Sequence, residues 1–199
     1  MQVPTPSTSA IWICDIQSRF ATAIHQFDAV TSTARKLIIF AQLLNIPVLA
    51  TEQKPQALGS TVADIGLDTL PVALRWGTFP KTRFSMLVPD VVAVLNQHPT
   101  VRHIILVGIE AHVCVLQTAL DLRSNGYFVH VLADGVSSCN PQEVPIALAT
   151  MRQAGAQVTT SESVAFQLVG DASIPTFKSF SAAVKDEKDA TQVALRALL

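Results

Sequence analysis

The chain has 199 residues, enough for one well-buried core and short for two. With 49% hydrophobic and 15% charged residues, its composition excludes extended disorder and fits a sheet covered on both faces. A formal net charge of −1 gives no electrostatic footprint for nucleic acid or an anionic membrane, so neither is expected as a partner.

Residues 1–9, rich in Pro, Ser and Thr, read as a flexible arm, and residues 10–199 as a single domain. The start lacks the basic residues and long apolar centre of a secretory signal, and no apolar run reaches membrane-span length, so a cytoplasmic location is expected. The first strand begins near Ala10 and runs through Ile11-Trp12-Ile13-Cys14. Thr31 to Asn45 has the period of a helix, with Ala34, Leu37, Ile38, Ala41 and Leu44 on one face; Ile46-Pro47 then leads into a second strand, Val48 to Thr51.

From Gln53 to Pro80, six breakers (Pro55, Gly59, Gly66, Pro71, Gly77 and Pro80) predict a long irregular excursion, of a kind often functional. Pro89 to Gln97 predicts a short helix, His103 to Gly108 a buried strand, and Ala111 onward a helix ending near Asn125-Gly126. A fifth strand spans Phe128 to Ala133, with Asp134 as a turn former at its end. Asn140 and Glu143 suggest a capped helix start, although Pro145 removes a later hydrogen bond; that helix ends near Gly155. Gln157 to Thr160 forms a sixth strand, Lys185 to Asp189 a solvated charged run, and Gln192 to Leu199 a closing helix.

Strands alternating with helices imply a three-layer, doubly wound α/β fold. About six mainly parallel strands in the order 3-2-1-4-5-6, with helices on both faces, make strands one and four neighbours at the topological switch point. Asp15, at the carboxyl end of strand one, then lies near the helix that carries Cys114.

Cys14, Cys114 and Cys139 cannot close a disulfide framework, and no CxxC spacing suggests zinc or a dithiol centre. Cys14 reads as strand filler and Cys139, in a Ser-Ser-Cys-Asn-Pro turn, as incidental. Cys114 sits in the first turn of a helix, where unpaired N–H groups and the macrodipole favour a thiolate. Free cysteines are also common apolar fillers, so on residue chemistry alone nucleophile and filler both stand.

Three stretches occur in order: Ile13-Cys14-Asp15-Ile16-Gln17, Phe79-Pro80-Lys81-Thr82-Arg83-Phe84-Ser85, and Gly108-Ile109-Glu110-Ala111-His112-Val113-Cys114-Val115. Together they resemble the isochorismatase-like cysteine hydrolases, over about Ile11 to Gly170. Thr51-Glu52-Gln53, Gln56-Ala57-Leu58-Gly59 and Met151-Arg152-Gln153 look like the animal and protist isochorismatase-domain-containing subgroup. The resemblance implies a catalytic triad of Asp15, Lys81 and Cys114. It also implies a cis peptide between Ile109 and Glu110, and an oxyanion hole from the backbone N–H groups of Glu110 and Cys114. Isochorismatase itself lacks the cysteine, so the thiol points to a thioester route. The Glu110 side chain departs from the small residue common among amidase relatives.

Gln17, Gln53 and Phe84 flank these motifs as candidates to line a substrate pocket. Nicotinamidase-type relatives hold a metal through an Asp-x-His pair where this chain reads Thr51-Glu52-Gln53, and His25, His98, His103, His112 and His130 show no paired ligand spacing. No metal and no cofactor are therefore expected, and the absence of a G-x-G-x-x-G turn after strand one disfavours nucleotides. His112, two positions from Cys114, points the wrong way on a helix to act as its base. The expected activity is hydrolysis of a C–N bond in a small amide-like molecule. The alternatives are a binding or scaffold member of the family and an RNA-processing protein, the latter needing a basic, aromatic surface or a metal centre that the sequence does not supply. A hydrophobic, weakly charged chain is also expected to form a homo-oligomer.

Overall fold

The computed structural model describes residues 3–199. Six strands, β1 (Ser9–Cys14), β2 (Val48–Gln53), β3 (Arg75–Lys81), β4 (His103–Ile109), β5 (Phe128–Ser137) and β6 (Gln157–Thr159), form one sheet in the order β3-β2-β1-β4-β5-β6, with every pairing parallel. The helices are α1 (Phe27–Leu44), α2 (Pro55–Leu58), α3 (Pro89–Gln97), α4 (Leu116–Ser124), α5 (Glu143–Gln153), α6 (Ser161–Val169), α7 (Phe177–Asp186) and α8 (Lys188–Leu198). This is the doubly wound order expected from the alternation of strands and helices. Among the described residues no helix is long and apolar enough to cross a membrane.

β1 and β4 are buried at every position, which explains their unbroken apolar runs. Ile11, Ile13, Ile105 and Val107 face one layer with α1, α6 and Phe180 of α7, while Trp12, Leu49, Ile104 and Leu106 face the other with α3, α4 and α5. Close approach of β1 and β4 rests on Gly108, whose φ is 125°; a Cβ there would lie 2.1 Å from the Cys14 carbonyl oxygen.

Where elements depart from the sequence reading, local reasons are visible. α1 begins four residues before Thr31, because Phe27 and Val30 continue its apolar face behind the polar run Thr31-Ser32-Thr33. The breaker-rich excursion ends in β3, an edge strand exposed along most of its length, so it lacks an apolar pattern and tolerates Pro80. Asp134 does not end β5. The strand continues to Ser137, its pairing with β4 shifting register around Asp134-Gly135, so turn-forming residues are absorbed as an irregularity inside the strand. The Asp134 carboxylate is buried and accepts hydrogen bonds from the N–H and hydroxyl of Ser161.

α5 starts at Glu143 without a side-chain cap from Asn140, and Pro145 falls in its first turn, where an N–H has no intrahelical partner. α6 and α7 had no counterpart in the sequence reading. The charged run Lys185 to Asp189 is not wholly solvated: Glu187 is buried and pairs with Arg35 at 3.4 Å, helping to dock α8 on α1. Of the N-terminal arm, residues 1 and 2 lie outside the described residues. Pro6–Thr8 forms a 3-10 turn, and the Thr8 carbonyl accepts from Arg102 N–H at 2.9 Å.

His103 and His130 are buried together on β4 and β5, with His103 Nδ1 3.0 Å from His130 Nε2 and the His103 ring stacked on Phe128. Burial pushes both below the usual histidine range; for His130, to about 4, with the neighbouring His103 acting in the same direction. Both therefore bind a proton more tightly in the unfolded chain, near pH 6.5. Folded stability is full above that pH and is lost as pH falls from there toward 4, by on the order of 3 kcal/mol from His130. Thermal melts between pH 7.5 and 4 should show this loss, and His130→Gln should flatten it; a variant as acid-sensitive as the parent protein would contradict the assignment.

Candidate active site

The carboxyl ends of four adjacent strands converge on one place. Register pairs Gln53 with Lys81 across β2 and β3, Cys14 with Thr51 across β1 and β2, and Cys14 with Gly108 across β1 and β4. Asp15 follows β1 directly and takes the left-handed conformation, φ 51°, which aspartate tolerates better than bulkier residues. Its N–H donates to the Thr51 carbonyl at 3.2 Å, and its own carbonyl accepts from Gln17 N–H at 2.8 Å. After β4 the Ile109–Glu110 peptide is cis, as the family resemblance implied. The next turn is wide, with Val115 N–H reaching back five residues to the Glu110 carbonyl at 3.1 Å. Such turns within helices recur at functional sites. Cys114 lies in that turn, ahead of α4.

Lys81 is the hub. Its Nζ donates to Asp15 Oδ2 at 2.6 Å, Gln53 Oε1 at 2.8 Å, and the carbonyls of Phe84 and Arg83 at 2.9 and 3.2 Å, and it lies 3.5 Å from Cys114 Sγ. The Lys81 and Asp15 side chains are 0% and 1% exposed. Burial alone would lower the lysine, but the negative charge of the groups around it, the Asp15 carboxylate in direct contact among them, pushes it above its ordinary value, so it stays an ammonium. Asp15 Oδ1 accepts from the Thr51 hydroxyl at 2.8 Å.

Lys81 Nζ is the donor in contact with Cys114 Sγ, and the Cys14 thiol is a neighbour of the same sulfur. Burial pushes the Cys14 thiol well up, and its bond to Cys114 and the Asp15 charge add to the effect, so Cys14 stays protonated. Cys139 is exposed, yet hydrogen bonding to Glu110 pushes its thiol up as well.

The structure brings Asp15, Lys81 and Cys114 together and reassigns two candidate pocket residues. Gln17 is fully buried, with Oε1 accepting from Gln53 N–H at 2.7 Å and Nε2 donating to the carbonyls of Gln53 at 3.0 Å and Gly59 at 2.6 Å. Gln53 holds Lys81 through Oε1 and Thr82 through Nε2. Both amides are committed to the framework. Phe84, 50% exposed, presents its ring at the surface. Glu110 accepts from Cys139 N–H at 2.8 Å, and His112 Nδ1 pairs with Ser138 Oγ at 2.9 Å, so both side chains pin the loop after β5. Thr51 was noted in the sequence only within the stretch Thr51-Glu52-Gln53 and was not named as a site residue; its register beside Cys14 and its bond to Asp15 reveal that place.

At Thr51-Glu52-Gln53 each side chain has an internal partner, Asp15, Thr61 and Lys81 respectively. Among the described residues no three His, Cys, Asp or Glu side chains are grouped to hold a metal ion.

An isochorismatase domain model matches residues 9–163. Isochorismatase domain-containing protein 1 of Danio rerio is 42% identical over 181 residues, 91% of this chain and 62% of that protein, so the chain spans less than two thirds of that relative's length. Isochorismatase domain-containing protein 2 of Homo sapiens is 42% identical over 182 residues, covering 91% of this chain and 85% of that protein. The solved structure of a MAR1 ribonuclease from Caenorhabditis elegans is similar with a TM-score of 0.84 at 41% identity, covering 92% of this chain and 93% of that one.

Cys114 is 7% exposed with the Lys81 ammonium 3.5 Å from its sulfur, and although Cys139 lies open on the surface, its thiol and that of Cys14 are pushed up. A brief iodoacetamide pulse at neutral pH, followed by peptide mapping, should label Cys114 first. Faster labelling of Cys14 or Cys139 would count against a reactive Cys114.

Proposed function

Because the chain belongs to the isochorismatase family, we propose that it is a cysteine-dependent hydrolase that cleaves a C–N bond of a small amide-like substrate through a thioester acyl-enzyme. The observation that carries this reading is the placement of Lys81 Nζ between Asp15 and Cys114, at 2.6 and 3.5 Å. In the proposed reaction the Cys114 thiol gives its proton to the Asp15 carboxylate while Sγ attacks the carbonyl carbon. The tetrahedral oxyanion takes hydrogen bonds from the backbone N–H groups of Glu110 and Cys114. Collapse breaks the C–N bond, Asp15 returns its proton to the leaving nitrogen, and the acyl group stays on sulfur. Water then attacks the thioester, its proton passing to Asp15, and collapse releases the acid and the Cys114 sulfur, which takes that proton from Asp15 so that thiol and carboxylate are restored. Lys81 keeps its charge throughout and offsets the negative charge that moves between sulfur and carboxylate.

The name of the nematode relative favours a second reading, ribonuclease action. Against it stand the chain's net charge of −1 and the enclosure of Lys81 and Asp15, which leaves neither open to an RNA backbone. The proposal also includes self-association, since Ile146, Val193 and Val72 are each more than half exposed. A monomer mass by light scattering at micromolar concentration would count against it.

The test is a panel of amides, ureides and carbamoylated amines, with a single-stranded RNA oligonucleotide alongside, assayed with the intact protein and Cys114→Ala. Turnover of a panel member should fall at least about a thousandfold in the variant. It should also survive dialysis against a strong chelator, because a thiol attacks without a metal-activated water. Cleavage of RNA alone, or activity lost on chelation and restored by zinc or manganese, would overturn the proposal.

A further inference from the structure

We infer that Thr51 is a positioning residue for the reaction, holding the Asp15 carboxylate in the one orientation from which it exchanges a proton with Cys114. The inference rests on the cysteine-hydrolase reading and deepens it.

A carboxylate that acts first as base and then as acid must keep its plane fixed, yet the terminal torsion of an aspartate is soft and roughly two-fold. The Lys81 contact at Oδ2, 2.6 Å, anchors one oxygen and leaves the plane free to turn about it. A second anchor at Oδ1 removes that freedom. Thr51 supplies it, its hydroxyl donating to Oδ1 at 2.8 Å from a site that is 0% exposed. The hydroxyl is itself well held, because a β-branched side chain has few χ1 choices. The same residue grips Asp15 a second time: the Thr51 carbonyl accepts the Asp15 N–H at 3.2 Å, where the chain leaves β1 with φ 51°. One rung of β2, set by the pairing of Thr51 with Cys14, thereby fixes both the backbone and the carboxyl end of Asp15.

The hydroxyl suits this role because it can adapt to both states of the carboxyl group. It donates while Asp15 is ionised, and its lone pairs can accept once Asp15 carries the proton taken from sulfur or water. The charged group in contact with Asp15 is Lys81 from β3, which also reaches Cys114 in the turn after β4, and the protonated Cys14 precedes Asp15 at the end of β1. Thr51 adds orientation without adding a charge.

The test separates the hydroxyl from the methyl group. Thr51→Val keeps the shape and removes the donor, whereas Thr51→Ser keeps the donor and removes the methyl group. The rate of Cys114 alkylation by iodoacetamide is measured for each across pH 6 to 9, with Asp15→Asn as reference and thermal melts alongside. Thr51→Val should slow alkylation about tenfold, the scale of one lost charge-assisted hydrogen bond, and displace its pH profile. Thr51→Ser should stay within about twofold of the parent protein even where its melting temperature is lower, since the lost methyl group affects packing alone. If Asp15→Asn slows alkylation and Thr51→Val does not, or if Thr51→Ser is as slow as Thr51→Val, the positioning role is overturned and the cysteine-hydrolase reading stands. If Asp15→Asn leaves the rate unchanged, the triad itself fails.

Discussion

An ammonium and a carboxylate buried 2.6 Å apart are costly to place in a protein interior, and much of the polar architecture of this chain serves to make the Lys81–Asp15 pair tolerable. Lys81 keeps its charge because every direction around Nζ holds an acceptor: a carboxylate, an amide oxygen, two carbonyls and a sulfur. Removing either partner would leave a buried charge uncompensated, a loss of roughly 3–5 kcal/mol in typical cases. The amides of Gln17 and Gln53, close enough to the site to invite a substrate-binding role, instead link the exits of β1, β2 and β3 around the pair.

The parallel sheet explains why these residues meet. In a doubly wound sheet all carboxyl ends lie on one edge, so residues far apart in sequence become neighbours without any long-range pattern. Asp15 and Thr51 are separated by 36 positions and Lys81 and Asp15 by 66, yet each contact follows from strand register. The close approach of β1 and β4 at Gly108 then carries the chain through a cis peptide and a wide turn that sets Cys114 beside Lys81.

The strand order and the central strands were legible in the sequence because strands buried on both faces must be apolar throughout. β3 was not, since an edge strand reading Arg75-Trp76-Gly77-Thr78-Phe79-Pro80-Lys81 obeys no inward-facing alternation. Asp134 misled for a related reason: Asp-Gly carries a turn preference, but pairing with β4 and the donors of Ser161 hold it inside a strand. At the candidate site, Asp15, Lys81 and Cys114 were singled out through ordered motifs that resemble a family, and no one of them stood out by its own chemistry. Thr51 stood within a motif, but nothing in it signalled the bond to Asp15, because a strand threonine that bonds a carboxylate looks the same in sequence as one that merely packs.

The account turns on whether the Cys114 sulfur carries the acyl group. Intact-protein mass spectrometry after rapid acid quench, using an activated amide or ester that turns over slowly, reads this directly. The protein should gain the mass of the acyl fragment, localised to the Cys114 peptide, and lose it again as water resolves the thioester, with no gain in Cys114→Ala. Turnover without any adduct on Cys114, or an adduct that forms equally in the alanine variant, would contradict covalent catalysis at this cysteine.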